Sequence, residues 1–223
     1  MPMSLDFSVL LRFTDALALG LWTTLKLTVL CVLLGTSLGF VIGLARAGRN
    51  AVLRIVATAF VEFFRGTPVL IQLFWIFFCL PLVLGMELSN FVSAAIALTL
   101  YMGAITSETF RSSLRAVGAE QMDACIALGL PRRTQILNVI LPQAVLRAAP
   151  TLLSNCISLF KESALVSAVG MADLMFVGQN ISNNTARPVE VLTAVALVYF
   201  VIAFPLTRLV TLIERRMLKK LSA

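Results

Sequence analysis

Histidine is absent from all 223 residues. That removes a histidine proton relay and any metal site built on imidazole. Charge is also scarce: Asp, Glu, Lys and Arg make up 13% of the chain, where an average soluble domain carries about 25%. The four cysteines, Cys31, Cys79, Cys125 and Cys156, have no CxxC spacing. Three fall in apolar runs and one in a basic stretch. They read as apolar packing and argue against a disulfide framework or a metal centre. No stretch matches G-x-x-x-x-G-K-[ST], so the chain has no phosphate-cradling loop of its own for ATP. Residues 1–15 carry Asp6, Arg12 and Asp15 without a basic region leading into an apolar core. No cleavable signal peptide is expected, and the first hydrophobic run should insert and stay.

What the chain has in quantity is apolar surface. Hydrophobic residues make up 59%, against about 45–50% in a soluble domain. They gather in runs that are apolar all round, which is the pattern of membrane spans and not of core-facing stripes. Five runs are expected to cross: 22–44, 55–80, 91–110, 145–169 and 191–213. The second is interrupted at Gly66-Thr67-Pro68, and the fourth contains Lys161-Glu162. The fold class is therefore an all-α membrane protein with five transmembrane helices. There is no internal repeat, low-complexity tract or second domain, so residues 1–223 form one transmembrane domain.

Orientation follows from the placement of lysine and arginine. Arg46, Arg49 and Arg54 follow span one. Arg111, Arg115, Arg132, Arg133 and Arg147 lie around the connection after span three, and Arg215, Arg216, Lys219 and Lys220 form the tail. The other side has Arg12 and Arg187. Twelve against two puts the N-terminus outside and the C-terminus in the cytoplasm. The net charge of +7, which in a soluble chain would suggest nucleic acid, is explained by this asymmetry; no nucleic-acid partner is implied. Residues 178–190 are polar and read as an outside loop. Residues 81–90 read as an outside turn whose Ser89-Asn90 caps span three.

The connection 111–143 carries the most information. Gly129 has the position of a helix C-terminal cap, and Pro131 suits the first turn of a following helix. Ile136, Val139 and Ile140 share one face of that helix, which is expected to end at Pro142. The result is a helix–turn–helix along the membrane surface. On physical grounds it is either an interfacial anchor or a docking element for a cytoplasmic partner.

The stretch Asp123-Ala124-Cys125, three residues, Gly129, nine residues, Val139-Ile140-Leu141-Pro142 resembles the EAA motif of permease subunits of bacterial ABC importers. That motif is Glu-Ala-Ala, three residues, Gly, nine residues, Ile-x-Leu-Pro. Asp replaces Glu, Cys the second Ala and Val the Ile; the spacing matches throughout. Gly20-Leu-Trp-Thr-Thr-Leu-Lys-Leu-Thr28, Phe64-Arg-Gly-Thr-Pro68, Glu108-Thr-Phe-Arg111 and Lys161-Glu-Ser-Ala-Leu165 are similar to segments of the polar amino-acid branch. In that branch the last segment is usually Lys-Asp/Glu-Thr-Ser-Leu, so one hydroxyl is missing here.

The resemblance covers nearly the whole chain and implies a multi-pass subunit of the bacterial inner membrane. A second permease subunit, a copy or a relative, would complete the translocation path. Two ATPase subunits would hold ATP and Mg, so no cofactor belongs to this chain and it is not itself an enzyme. A periplasmic binding protein would deliver the substrate, a polar amino acid. Coupling to the ATPase would rest on Asp123, Ala124, Gly129, Leu141 and Pro142. The alternatives are an importer of a related amino-acid-like solute, or an ATP-independent carrier.

An ionisable group at mid-bilayer costs about 2.5–3.5 kcal/mol on insertion scales, so each one calls for a reason. Lys161 and Glu162 are sequence neighbours, point apart on a helix and do not simply neutralise each other. Glu162, with Ser163 and Asn155 on or near one face, is expected to line the substrate path, with Lys161 beside it. The competing reading is a structural ion pair with another span, for which Arg65 or Glu62 would serve. Glu62 and Arg65 are three apart and can pair, as can Glu108 and Arg111. Thr67 and Pro68 break span two and mark either a substrate site or an ordinary proline kink. Gly35, Gly39 and Gly43 form a packing stripe, within the subunit or at a dimer interface.

Overall fold

The computed structural model describes residues 6–48 and 50–221, with side chains described as far as residue 215. Arg49, and the side chains of Arg216, Lys219 and Lys220, lie outside the described residues. Among the described residues there are helices and turns and no strand. A short 3-10 turn, Phe7–Arg12, precedes eight helices. They are α1 (Thr14–Ala47), α2 (Ala51–Gly66), α3 (Val69–Leu84), α4 (Asn90–Arg115), α5 (Ala119–Ala127), α6 (Arg132–Val169), α7 (Leu174–Thr185) and α8 (Pro188–Leu221). Four of them, α1, α4, α6 and α8, are long and apolar enough to cross a membrane. The pair α2–α3, bent by 108°, makes a fifth, broken span.

The glycine stripe packs within the subunit. A Cβ added at Gly35 would lie 2.6 Å from the Cβ of Met102, and one at Gly39 would lie 2.6 Å from the Cβ of Thr106 and 2.7 Å from the carbonyl of Gly103. Gly43 faces Phe110 at 3.6 Å. Both partners advance four residues per layer, 35–39–43 against 102–106–110, so α1 and α4 run parallel and in register. Small residues let the two backbones approach this closely, which is how helices gain contact in lipid. Leu27, Cys31, Leu98, Met102, Leu159 and Val166 fill the core beside this pair.

The break in span two is held by one side chain. Pro68 has no N–H to return to Phe64, so the carbonyls at the end of α2 lose their helical partners. Buried Gln72 takes over: its Nε2 donates to Phe64 O (2.8 Å), Thr67 O (3.0 Å) and Thr67 Oγ1 (2.8 Å). The kink at Thr67-Pro68 is thus a fixed corner.

Two of the prolines follow widened turns. In α3 the Leu80 N–H donates to Trp75 O, closing a π segment one residue before Pro81. In α6 the Leu141 N–H donates to Ile136 O, closing another one residue before Pro142. Here the expectation that Pro142 ends a surface helix fails: α6 continues unbroken to Val169. Shifting the ladder from four residues back to five accommodates a residue that lacks a donor and crowds the carbonyl four positions earlier. The connection between spans three and four is correspondingly shorter than 111–143. Residues 111–115 complete α4 and 132–143 open α6.

Residues 178–190 are not a loop either. Most of them belong to α7, whose start is capped by the Asp173 carboxylate accepting from Phe176 N–H at 2.8 Å. Leu174, Gly178 and Ile181 are buried along one side, while Asn180, Asn183 and Asn184 face outward. The 4–3 spacing of the buried set is helical. Ala186 ends α7 at φ 53°, and the Arg187 N–H then donates to Ser182 O at 3.3 Å.

Candidate functional site

The antiparallel seam between α4 and α6 carries three polar rungs. At one end Asn90 Nδ2 donates to Gly170 O at 3.0 Å. In the middle the Tyr101 hydroxyl donates to Glu162 Oε1 at 2.9 Å. Towards the other end Asn155 Nδ2 donates to Thr109 Oγ1 at 3.1 Å. Asn155 and Glu162 therefore share one face of α6, as their spacing of seven requires, and that face meets α4. Tyr101 is the twelfth of the 26 residues of α4, so Glu162 meets α4 near its middle.

Glu162 has no ion-pair partner among the described residues. Its Oε2 is buried and accepts no hydrogen bond. The alternative of a structural ion pair with Arg65 is overturned: Arg65 Nη1 lies 3.7 Å from Glu108 and 3.9 Å from Glu62. Lys161 is turned to the other side of the helix. It is exposed and borders a cavity of about 320 Å³ with Met175, Val195 and Tyr199, between α6, α7 and α8. Ser163 is fully buried, and its hydroxyl donates back to Phe160 O at 2.8 Å, so it faces no open space here. Thr67 borders a second cavity of about 260 Å³ with Phe63, Gln72 and Trp75. Pro68 is exposed at the bend. No hydrogen bond or ion pair among the described residues joins Thr67 to the α4–α6 rungs.

A second polar centre ties α1, α2 and α4 together. Glu108 accepts from Arg46 Nη1 at 2.9 Å and from Arg111 Nε at 3.0 Å, and it also pairs with Arg111 Nη2. Arg65 stands at the edge and reaches Glu62 as well. Glu108 is therefore the hub, and Glu62–Arg65 and Glu108–Arg111 both pair as their spacing predicts. Sequence reasoning placed Arg46 in a connecting loop. It is the last-turn residue of α1, with its side chain 5% exposed. The signal available was its position three residues past the glycine stripe, on a helix facing a glutamate.

The stretch that matches the EAA spacing folds as anticipated at its turn. Gly129 has φ +65°. Its N–H donates to Ile126 O at 2.9 Å, and the Leu130 N–H donates to Cys125 O at 3.1 Å. This pair of bonds is the Schellman ending, which demands a left-handed residue and hence favours glycine. Buried Gln135 secures the turn by donating to Leu130 O at 2.7 Å, and buried Cys125 pins α5 to the bundle. Asp123 and Ala124 are exposed, as are Ile126 and Leu128 at 60% and 76%. Leu141 is half-buried and Pro142 exposed. Of the expected apolar face, Val139 and Ile140 are half-buried and Ile136 is exposed.

Sequence reasoning missed Asp173. It is fully buried at the turn between α6 and α7. Burial pushes its carboxyl up to about 6, against the opposing pull of the Phe176 N–H. Tyr199 O–H reaches its Oδ2 at 3.4 Å, and the next residue, Leu174, donates its N–H to Thr24 Oγ1 at 3.0 Å. Arg187 pairs with Asp6 at 3.1 Å and Glu190 at 3.9 Å, clasping Asp6 to the start of α8. The hydroxyl and N–H of Ser8 and this arginine hold the Asp6 carboxyl below its ordinary range.

Comparison with known proteins identifies the family of the chain. The family described as binding-protein-dependent transport system inner membrane component matches residues 35–219. The chain is 34% identical to a putative glutamine transport system permease protein of Rickettsia felis, over 89% of this chain and 91% of that one. It is 33% identical to an arginine transport system permease protein of Bacillus subtilis, over 96% and 98%. A crystal structure of an amino acid ABC transporter with histidines superposes with a TM-score of 0.91 at 34% identity, covering 96% of this chain and 100% of that one. A methionine ABC transporter in an inward-facing conformation shares the fold, with a TM-score of 0.71 at 23% identity, over 91% and 98%.

Proposed function

The chain belongs to the family of binding-protein-dependent transport system inner membrane components, and from that premise we propose how it carries its substrate. It is a multi-pass permease subunit of an ABC importer and does no covalent chemistry of its own. The substrate is a polar amino acid, in keeping with the glutamine and arginine systems of the relatives. Glu162 and Asn155 line the path at mid-membrane, with Ser163 and Lys161 beside them and Thr67-Pro68 at the broken span. The carrying observation is Glu162: a carboxylate level with the middle of α4, with one oxygen unpartnered and no ion pair among the described residues. Such a group is retained against its insertion cost when something passing through satisfies it. It takes the positively charged nitrogen of the amino acid.

The path is completed by a second permease subunit, identical or related. Two ATPase subunits hold ATP and Mg on the cytoplasmic side, and a periplasmic binding protein delivers the amino acid from the other. The basic residues assign the N-terminus to the periplasm and the C-terminus to the cytoplasm. Asp123, Ala124 and Gly129, together with the Leu141-Pro142 entry to α6, form the element the ATPases push. The exposed Ile126 and Leu128 supply apolar area for that contact. Closure of the ATPases on ATP rocks the spans outward, substrate enters beside α6, and hydrolysis resets the assembly.

The test is binding-protein-dependent uptake in proteoliposomes. The chain is co-expressed with its ATPase and supplied with labelled amino acids, with and without ATP. Uptake that requires ATP and is lost in Glu162→Ala, with the complex still assembled, supports the reading. Equal uptake without ATP would instead support a carrier, and normal uptake by Glu162→Ala would remove Glu162 from the path.

A further inference from the structure

We infer that Tyr101 is the positioning residue for Glu162: its phenol holds the carboxylate in the α4–α6 seam with one oxygen reserved for a substrate N–H. The inference rests on the reading of Glu162 as a path residue.

The Tyr101 hydroxyl, 2.9 Å from Oε1, is the single hydrogen-bond donor to Glu162 among the described residues. The neighbouring rung, Asn155 to Thr109, is closed on itself and offers Glu162 nothing. Oε2 is shut in without a donor. A buried carboxylate oxygen left unpaired is costly, and a donor that arrives with the substrate removes that cost. Lys161 is adjacent in sequence but lies on the exposed side of the helix. A carboxylate released by Tyr101 would be free to turn out of the seam towards that ammonium. Tyr101 and Lys161 thus compete for the same anion, and the phenol keeps it facing the seam. The class of ligand follows: a nitrogen bearing both N–H and positive charge fits Oε2, whereas an acidic side chain meets an unopposed negative charge.

The test uses the reconstituted transporter and labelled arginine, glutamine, cystine and glutamate. Tyr101→Phe keeps the ring and removes only the donor. For the amino acid that the unaltered protein carries, it is expected to raise the half-saturating concentration about tenfold, the scale of a lost hydrogen bond to a charge, with maximal rate within about twofold. Glu162→Asp keeps the charge but is one methylene too short to reach the phenol. It should reproduce the Tyr101→Phe effect, and the double variant should be no worse than either single one. Additive losses in the double variant, or a reduced maximal rate at unchanged half-saturation, would overturn the positioning role. Undiminished uptake of a substrate with no charged nitrogen, such as N-acetylglutamine, would overturn the ligand class. Loss of uptake in Glu162→Ala alongside an unaffected Tyr101→Phe would reject this inference and leave the path reading intact.

Discussion

Gly39 and Gly43 occupy the same sequence motif, yet replacing each by alanine should move stability in opposite directions. A Cβ at Gly39 meets the Thr106 Cβ at 2.6 Å, the Gly103 carbonyl at 2.7 Å and the Ser107 nitrogen at 2.9 Å. None of these atoms can rotate away, so α1 and α4 must separate. Forced overpacking costs about 1–3 kcal/mol, and the gain in helix propensity from glycine to alanine returns about 1 kcal/mol. The net is a loss of up to about 2 kcal/mol for Gly39→Ala, read as a fall in Tm of up to about 8 °C for a chain of this length. At Gly43 the nearest atoms are the Phe110 Cβ at 3.6 Å and the Ser107 carbonyl at 3.7 Å, which is ordinary contact. Gly43→Ala therefore keeps the propensity gain of about 1 kcal/mol and should raise Tm by about 2–4 °C. Thermal unfolding of the purified subunit in detergent reads both. Shifts of the same sign would show that the α1–α4 contact is not set by backbone approach at Gly39.

Further outcomes follow from single residues. Ala186→Gly should stabilise the protein by about 1 kcal/mol, because a left-handed alanine at φ 53° carries a penalty that glycine does not; chemical denaturation measures it. Asp173 is raised in the fold from 3.8 to about 6, so the folded state binds the proton more tightly than the unfolded one. Stability should fall as pH rises from 4 to above 6, by about 3 kcal/mol in all. Asp173→Asn should flatten that dependence in a Tm-versus-pH series. Gly129→Val has space around it but cannot hold φ +65° without strain. ATP-driven uptake should collapse while co-purification with the ATPase persists, and intact coupled uptake would exclude this turn as the coupling element.

The spans were legible because a bilayer demands runs of apolar residues, and these runs are long. The corner at Gly66-Thr67-Pro68 was legible from proline's missing donor. Gln72, which fixes the corner, was not: nothing in a lone glutamine tells which carbonyls it will meet eight and five residues back. Residues 178–185 were misread as part of a loop because Asn180, Asn183 and Asn184 dominate their composition, while the buried 174–178–181 set includes a glycine that hydropathy does not register. Its Asp173 cap was the overlooked signal. Pro142 was misread because the stop rule assumes a four-residue ladder, and α6 widens to five. At the site, the shared face of Asn155 and Glu162 followed from spacing alone. Their partners Tyr101 and Thr109, and the capture of Arg46 by Glu108, depend on which helices lie side by side.

The four-residue step shared by α1 and α4 also limits how the protein can move. Met102, Thr106 and Phe110 sit against Gly35, Gly39 and Gly43 like the teeth of a rack in its slots. A slide of less than one repeat, about 6 Å along the axis, would drive each tooth into the ridge between two slots. The pair must jump a full notch or travel together, and packed interfaces of this kind switch and do not creep. Gradual opening is thereby shed to the opposite flank of α4, where α6 is joined by hydrogen-bonded rungs that can open singly, in sequence.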